Sequence, residues 1–282
     1  MGIKSNSPKE SYFNFFGASG KDGVNPEPST QGDQDCMPIY WTNATGTAIR
    51  ESGKYWNDAN ASYLKVAVPY NGSNGGTSFS DVHADVPGAS GSNHTLTVVG
   101  DSQTSTATSK YYGSSGLFDG SGDYLTCAAN TDWSLDGDFT IEGWMNIDSG
   151  QKGIICSVGD AHSTTGTDGF EFYAAADNDF RVYGNATGGG SSLYWFGTGN
   201  GTFGYGSWHH FALVRESNVA KAYINGTDIG KTYTTNTTYN GQLTLAAEYY
   251  DSGYDGHDGY LQDFRLYKGV AKYTSNFTIF PG

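Results

Sequence analysis

The sequence predicts an all-β protein: an antiparallel β-sandwich of the jelly-roll type over residues 61–282, preceded by an extended N-terminal arm over residues 1–60. Three observations carry this. Short apolar–polar alternating runs recur from residue 63 onward, separated by Gly- and Asn-rich breaks at roughly 8–12-residue spacing. No window offers a long amphipathic helix. The 41 glycines and 21 tyrosines, with only 16% charged residues, suit half-buried pleated strands joined by tight turns.

The arm comes first. Residues 8–41 hold four of the seven prolines and the aromatic clusters Tyr12-Phe13-Asn14-Phe15-Phe16 and Tyr40-Trp41, without sustained periodicity. A free disordered tail is poor in aromatics, so residues 1–60 are expected to dock on a surface. The strand series then begins with YLKVAVPY (63–70), stopped by Pro69, and HTLTVVG (94–100). FTIEGWMNI (139–147) puts Phe139, Ile141, Met145 and Ile147 on one face, with Thr140, Glu142 and Asn146 opposite. GIICSVG (153–159), GFEFYAA (169–175), a turn at DNDF and FRVYG (180–184) follow. SLYWFGTG (192–199), WHHFALVRE (208–216) and VAKAYING (219–226) continue, and Asn225-Gly226 is a hairpin signal. GQLTLAAEYY (241–250) and GYLQDFRLYKG (259–269) close the series. One alternating apolar face per strand is what two packed antiparallel sheets require.

Composition narrows the function. A net charge of −14 makes nucleic acid a poor partner and acid-rich loops suited to a hard cation. Three cysteines, Cys36, Cys127 and Cys156, form neither a disulfide framework nor a metal-ligand spacing. No apolar run approaches the roughly 18 residues of a membrane span. The N-terminus has no apolar segment of a secretory signal, so secretion by a signal peptide is not expected.

SSGLFDGSGDYL (114–125), DFTIEGWMNI (138–147), GSWHHFALVRESNVAKAYINGTDIG (206–230) and GYLQDFRLYKGVAKYTSNF (259–277), in this order, resemble the laminin-G-like, concanavalin A-like domain family. The ending LYKGVAKYTSNF is similar to the form found in structural proteins of tailed marine bacteriophages. The resemblance implies a curved sandwich used for binding, often of sugars and often with one calcium at a rim. It also implies that the calcium loop, here Asp119 and Asp123 in FDGSGDYL, pairs with an acid of the last strand motif, here Asp263. Many relatives carry two acids where this chain has Gln262 and Asp263, one carboxylate fewer for Ca2+. The competing reading is that Asp119 and Asp123 accept backbone N–H bonds and cap a turn.

The second acidic stretch, EYYDSGYDGHDGY (248–260), sets tyrosines beside carboxylates, the usual equipment for sugars. Tyr250, Tyr254 and Asp255, with Trp195, are the candidate glycan contacts; the alternative is local packing. His209 and His210 are adjacent in a strand, so one is expected packed and the other exposed. No enzyme is expected. Retaining hydrolysis needs two carboxyl groups about 5–5.5 Å apart, one with a raised pKa. The strands offer only Glu142 and Glu171 singly, and Asp177 and Asp179 sit in a turn.

The expectation is therefore a virion structural protein of a tailed bacteriophage: a capsid decoration, fibre or tail component. Residues 1–60 would meet other virion proteins, as a homo-oligomer in the particle, and the sandwich would meet cell-surface glycans. A stand-alone lectin module and a glycoside hydrolase of the same fold are the alternatives.

Overall fold

The computed structural model describes residues 58–279, apart from 149, 162–168, 178, 187–189, 198–202 and 249–255; of 185–186 and 190–197 it describes the backbone only. Among the described residues, fifteen strands form two antiparallel sheets. They are β1 (Leu64–Val68), β2 (Thr97–Val99), β3 (Gln103–Ser105), β4 (Ser115–Asp119), β5 (Tyr124–Cys127), β6 (Phe139–Ile147), β7 (Gly153–Val158) and β8 (Phe170–Ala174). Then come β9 (Phe180–Ala186), β10 (Gly190–Gly197), β11 (His209–Glu216), β12 (Val219–Ile224), β13 (Thr227–Thr234), β14 (Leu243–Leu245) and β15 (Asp258–Lys268).

The eight-stranded sheet runs β13-β12-β11-β6-β15-β4-β3, with β1 added alongside β15; the seven-stranded sheet runs β10-β9-β8-β7-β14-β5-β2. Phe139, Ile141, Met145, Phe211, Leu213, Leu261, Phe264 and Leu266 of the first meet Leu125, Ile155, Phe170, Phe172, Val182, Leu243 and Leu245 of the second. The expected alternation thus places the core between the sheets. FDGSGDYL belongs to both: β4 lies in one sheet and β5 in the other, so Gly120–Gly122 turns a corner at the rim.

The polar face of β6 departs from simple alternation, because all nine of its residues are buried. The chain after β15 straps across it. Thr140 Oγ1 donates to Val270 O and accepts from Lys272 N, both at 3.0 Å, and Tyr273 and Phe277 pack on Ala212, Val214 and Tyr223. The motif KGVAKYTSNF is this strap. On the same face Val82 packs with Leu64, Ala67 and Tyr267.

Two hairpins show why their turns were or were not legible. Asn225 and Gly226 both have positive φ (50° and 77°), the type I′ geometry that NG favours. Ser217 and Asn218 do the same between β11 and β12 (48° and 69°) without that signature.

Candidate functional site

The corner between β4 and β5 gathers acids. Asp123, 2% exposed, accepts from Asp101 N at 2.7 Å through Oδ1 and from Asp119 N at 3.3 Å through Oδ2. Asp119 Oδ1 accepts from Ser121 N at 2.8 Å. These are turn-capping bonds. The same geometry brings carboxylate oxygens of Asp101, Asp119 and Asp123 within 4.8 Å of one another. Asp258 joins them from β15: it pairs in register with Asp119, and its side chain lies against Gly120. Burial, the Asp101 carboxyl and the Asp119 charge push Asp123 up to about 6; burial, Asp148 and Asp119 raise Asp258. An all-oxygen set under mutual repulsion is chemically suited to a hard divalent cation; Asp101, Asp119 and Asp123 would hold it, with Asp258 adding negative charge beside them.

Asp263 does not join this set. A bulge in β15, where the register to β6 shifts between Gln262 and Arg265 and Asp263 has a φ of 58°, turns its side chain onto the strapped face. There it accepts from the Tyr112 hydroxyl at 2.8 Å and pairs with Arg265. It lies five residue steps beyond Asp258, roughly 16 Å along the strand. Gln262 is equally structural: its Oε1 accepts from Lys110 N and Tyr111 N, both at 2.8 Å, and its amide donates to Ser114 O. The acid that meets Asp119 is Asp258, one residue before the quoted motif. Trp195 lies on β10, where only the backbone is described, and Tyr250, Tyr254 and Asp255 lie outside the described residues.

The outer face of the seven-stranded sheet is of another kind. Register places Thr97, Thr126, Thr244, Ser157, Glu171 and Tyr183 in one row across β2, β5, β14, β7, β8 and β9. Their neighbours Val98, Leu125, Leu243, Val158, Phe172 and Val182 point into the core, so the row lies on the other side of the sheet, where Thr97 is exposed, Thr126 and Tyr183 are half-buried, and Thr244, Ser157 and Glu171 are buried. Tyr173 and Tyr183 pack with Ile154 and Ala175 beside it, and Lys152 Nζ stands 4.9 Å over the Tyr173 ring and 3.3 Å from Glu248. Hydroxyls, a carboxylate and an aromatic platform thus share one face.

The family described as the concanavalin A-like lectin/glucanases superfamily matches residues 119–272, more than half of the 282 residues. The chain belongs to this superfamily. No curated protein matches the sequence. Among solved structures, domain 4 of AbnA, a GH43 extracellular arabinanase from Geobacillus stearothermophilus, in complex with arabinotriose, superposes with a TM-score of 0.54 at 13% identity, over 74% of this chain and 93% of that one. The botulinum neurotoxin serotype C1 binding domain superposes at 0.52 and 13%, over 75% of this chain and 50% of that one. A botulinum neurotoxin type C structure, titled for cell entry dependent on two ganglioside molecules, gives 0.51 and 15% over 77% and 51%. The chain thus spans about half the length of the toxin domains. At these identities the likeness is one of fold.

The lectin/glucanase fold raises the question of catalytic carboxyls. Glu142, 1% exposed, lies 2.6 Å from Lys272 Nζ, 3.5 Å from Arg265 and 3.7 Å from His210, and accepts from the Tyr273 hydroxyl. Burial works against its charge, but Lys272, then His210 and Arg265, outweigh it and hold the carboxyl well below the usual range. A general acid needs the opposite shift. Asp177 and Asp179 both pair with Arg181. His210 is packed between Trp144 and Phe277, while His209 binds Gly204 O and Asn225, the division adjacent strand residues impose.

Proposed function

We propose that this protein is a structural component of a tailed-bacteriophage virion whose sandwich binds glycans on the outer face of the seven-stranded sheet. One observation carries the glycan reading. The strap closes the outer face of the eight-stranded sheet, whereas on the outer side of the opposite sheet Thr97 is exposed and Thr126 and Tyr183 are half-exposed, in one row with the buried Glu171. Sugars are recognised by hydrogen bonds to their hydroxyls and by rings that cover their apolar C–H face. The phage setting rests on the resemblance of LYKGVAKYTSNF and on the aromatic, proline-containing residues 1–60, which would meet other virion proteins. A stand-alone lectin would use the same face without a particle. The low pKa of Glu142 argues against the glucanase alternative at that residue.

The rim acids add a second reading. Calcium at Asp101, Asp119 and Asp123, beside Asp258, would neutralise the crowding that raises Asp123 and Asp258 and would tie β4 and β5 to the turn between β2 and β3.

A glycan array on the full chain tests the main reading. Binding of a defined oligosaccharide class is expected, and Tyr183→Ala should weaken it about tenfold, equivalent to ~1.4 kcal/mol. Binding that is indifferent to Tyr183→Ala and Glu171→Gln would move the site elsewhere, with Tyr250 and Tyr254 as the next residues to change.

A further inference from the structure

A second cluster of ligating side chains differs from the rim in chemistry, pairing imidazoles with a carboxylate. Residues 81–94 fold against β1 so that Asp81, His83 and His94 meet, and the short 3-10 turn Thr131–Trp133 brings Asp132 beside them. We propose that Asp81, His83 and His94 form a binding site for a borderline divalent transition metal of the Zn2+, Co2+ or Ni2+ class, with Asp132 as the residue that positions His94.

The geometry is convergent. His83 Nδ1 and His94 Nδ1 each stand 2.8 Å from the same oxygen, Asp81 Oδ2, and one ligand atom from each of the three residues lies within 4.8 Å of the others. A tetrahedral ion bound at about 2.0–2.1 Å needs its ligand atoms roughly 3.3 Å apart, so adjustments of about an ångström admit it. The supports are rigid. Asp81 Oδ1 accepts from Ala67 N at 2.9 Å and His83 N at 3.0 Å, which turns Oδ2 toward the two rings. The imidazoles stack with centroids 5.0 Å apart and 21° between planes, and His94 packs edge-on to Trp133 at 4.8 Å. Asp81 and His83 are buried, while the His94 side chain keeps 11% exposure, so solvent reaches the cluster from the His94 side.

The surroundings fix the ring orientation. His94 Nε2 lies 3.1 Å from Asp132 Oδ2, and His94 N donates to Asp81 Oδ2 at 2.8 Å, so both ring and backbone of His94 are held against the two carboxylates. A carboxylate that fixes the far nitrogen of a ligating histidine is the usual outer support of a metal site. Two imidazole nitrogens and one carboxylate oxygen select borderline ions over calcium, which wants six to eight oxygens.

The test uses the full chain, stripped with chelator and dialysed against Co2+ or Zn2+. Wild type is expected to hold one Co2+ per chain by elemental analysis, with visible absorption bands of a low-coordinate Co2+ site, and to gain thermal stability with Zn2+. His94→Gln and, separately, His83→Gln should abolish both; Asp132→Asn should weaken Zn2+ binding about 10–100-fold. Asp123→Asn, at the rim, should leave the Co2+ spectrum unchanged. Absence of bound Co2+ in wild type, or an unchanged spectrum in a folded His94→Gln chain, would overturn the proposal and leave a proton in the position assigned to the metal.

Discussion

Asp123 and His257 make opposite demands on pH. Burial, Asp101 and Asp119 raise Asp123 from 3.8 to about 6, so the folded chain keeps a proton there that the unfolded chain releases. Its contribution to stability is full below pH 3.8 and is lost as pH rises through about 6. His257, fully buried with Nδ1 2.9 Å from Ile154 O, is lowered by burial from 6.5 to about 4. Its contribution is full above pH 6.5 and is lost as pH falls through about 4. The two windows overlap and partly cancel. Asp123→Asn removes the contribution that opposes His257, so the urea midpoint should drop more between pH 6.5 and pH 4.5 than in wild type. Parallel pH profiles for the two proteins would remove Asp123 from the account. Glu142 makes a separate prediction. Glu142→Gln leaves Lys272 and Arg265 buried without their carboxylate, which should cost about 3–5 kcal/mol in urea unfolding. A loss below about 1 kcal/mol would mean that these charges find other partners.

At the scale of elements, the rim depends on close backbone approach. A Cβ on Gly100, where φ is 72°, would stand 2.2 Å from Asp123 Oδ1 and 2.5 Å from Gly122 O. Gly100→Ala should therefore destabilise by more than about 1 kcal/mol and abolish any rise in melting temperature that calcium gives wild type. Calcium stabilisation equal in both proteins would detach the cation from this corner. The strands β6, β11 and β12 were legible in sequence because their apolar residues alternate toward the core, even though β6 and β11 are buried on both faces. The corner strand β4 was not, because Gly116 and the charged end of SGLFD interrupt the pattern. The rim acids were half legible: Asp119 and Asp123 announce a turn, whereas Asp101, in the turn between β2 and β3, and Asp258, on β15, meet them only in three dimensions. Asp263 was suggested by the resemblance alone, and the β15 bulge turns it to Tyr112 and Arg265 instead of the rim. The Asp81–His83–His94 cluster had no sequence signal, because its spacing becomes meaningful only when the loop folds against β1.

Across the whole molecule, the sheets are tied together by segments outside them. The strap carries Lys272 and Tyr273 to Glu142, and Arg215, fully buried, donates to the carbonyls of Gly137, Thr237 and Leu135. The sandwich also reaches back toward the N-terminus. Asp58, 5% exposed, accepts from the Tyr267 hydroxyl at 2.7 Å and from Asn60 N at 2.8 Å. Tyr267 in turn lies under Lys272, whose Nζ is 4.1 Å from its ring centroid, so Asp58 belongs to the network that holds the strap. A cut after residue 60 would remove this carboxylate, whereas a cut after 57 retains it. The fragment 58–282 should therefore unfold cooperatively with a urea midpoint close to that of the full chain, and 61–282 should fall measurably below it. Asp58→Asn in the full chain should reproduce part of that deficit, because the amide keeps an acceptor for Tyr267 but loses the charge. If 58–282 fails to fold, residues 1–57 are part of the core rather than an arm. If 58–282 and 61–282 are equally stable, the Asp58–Tyr267 bond adds nothing to the network and the boundary can lie at 60.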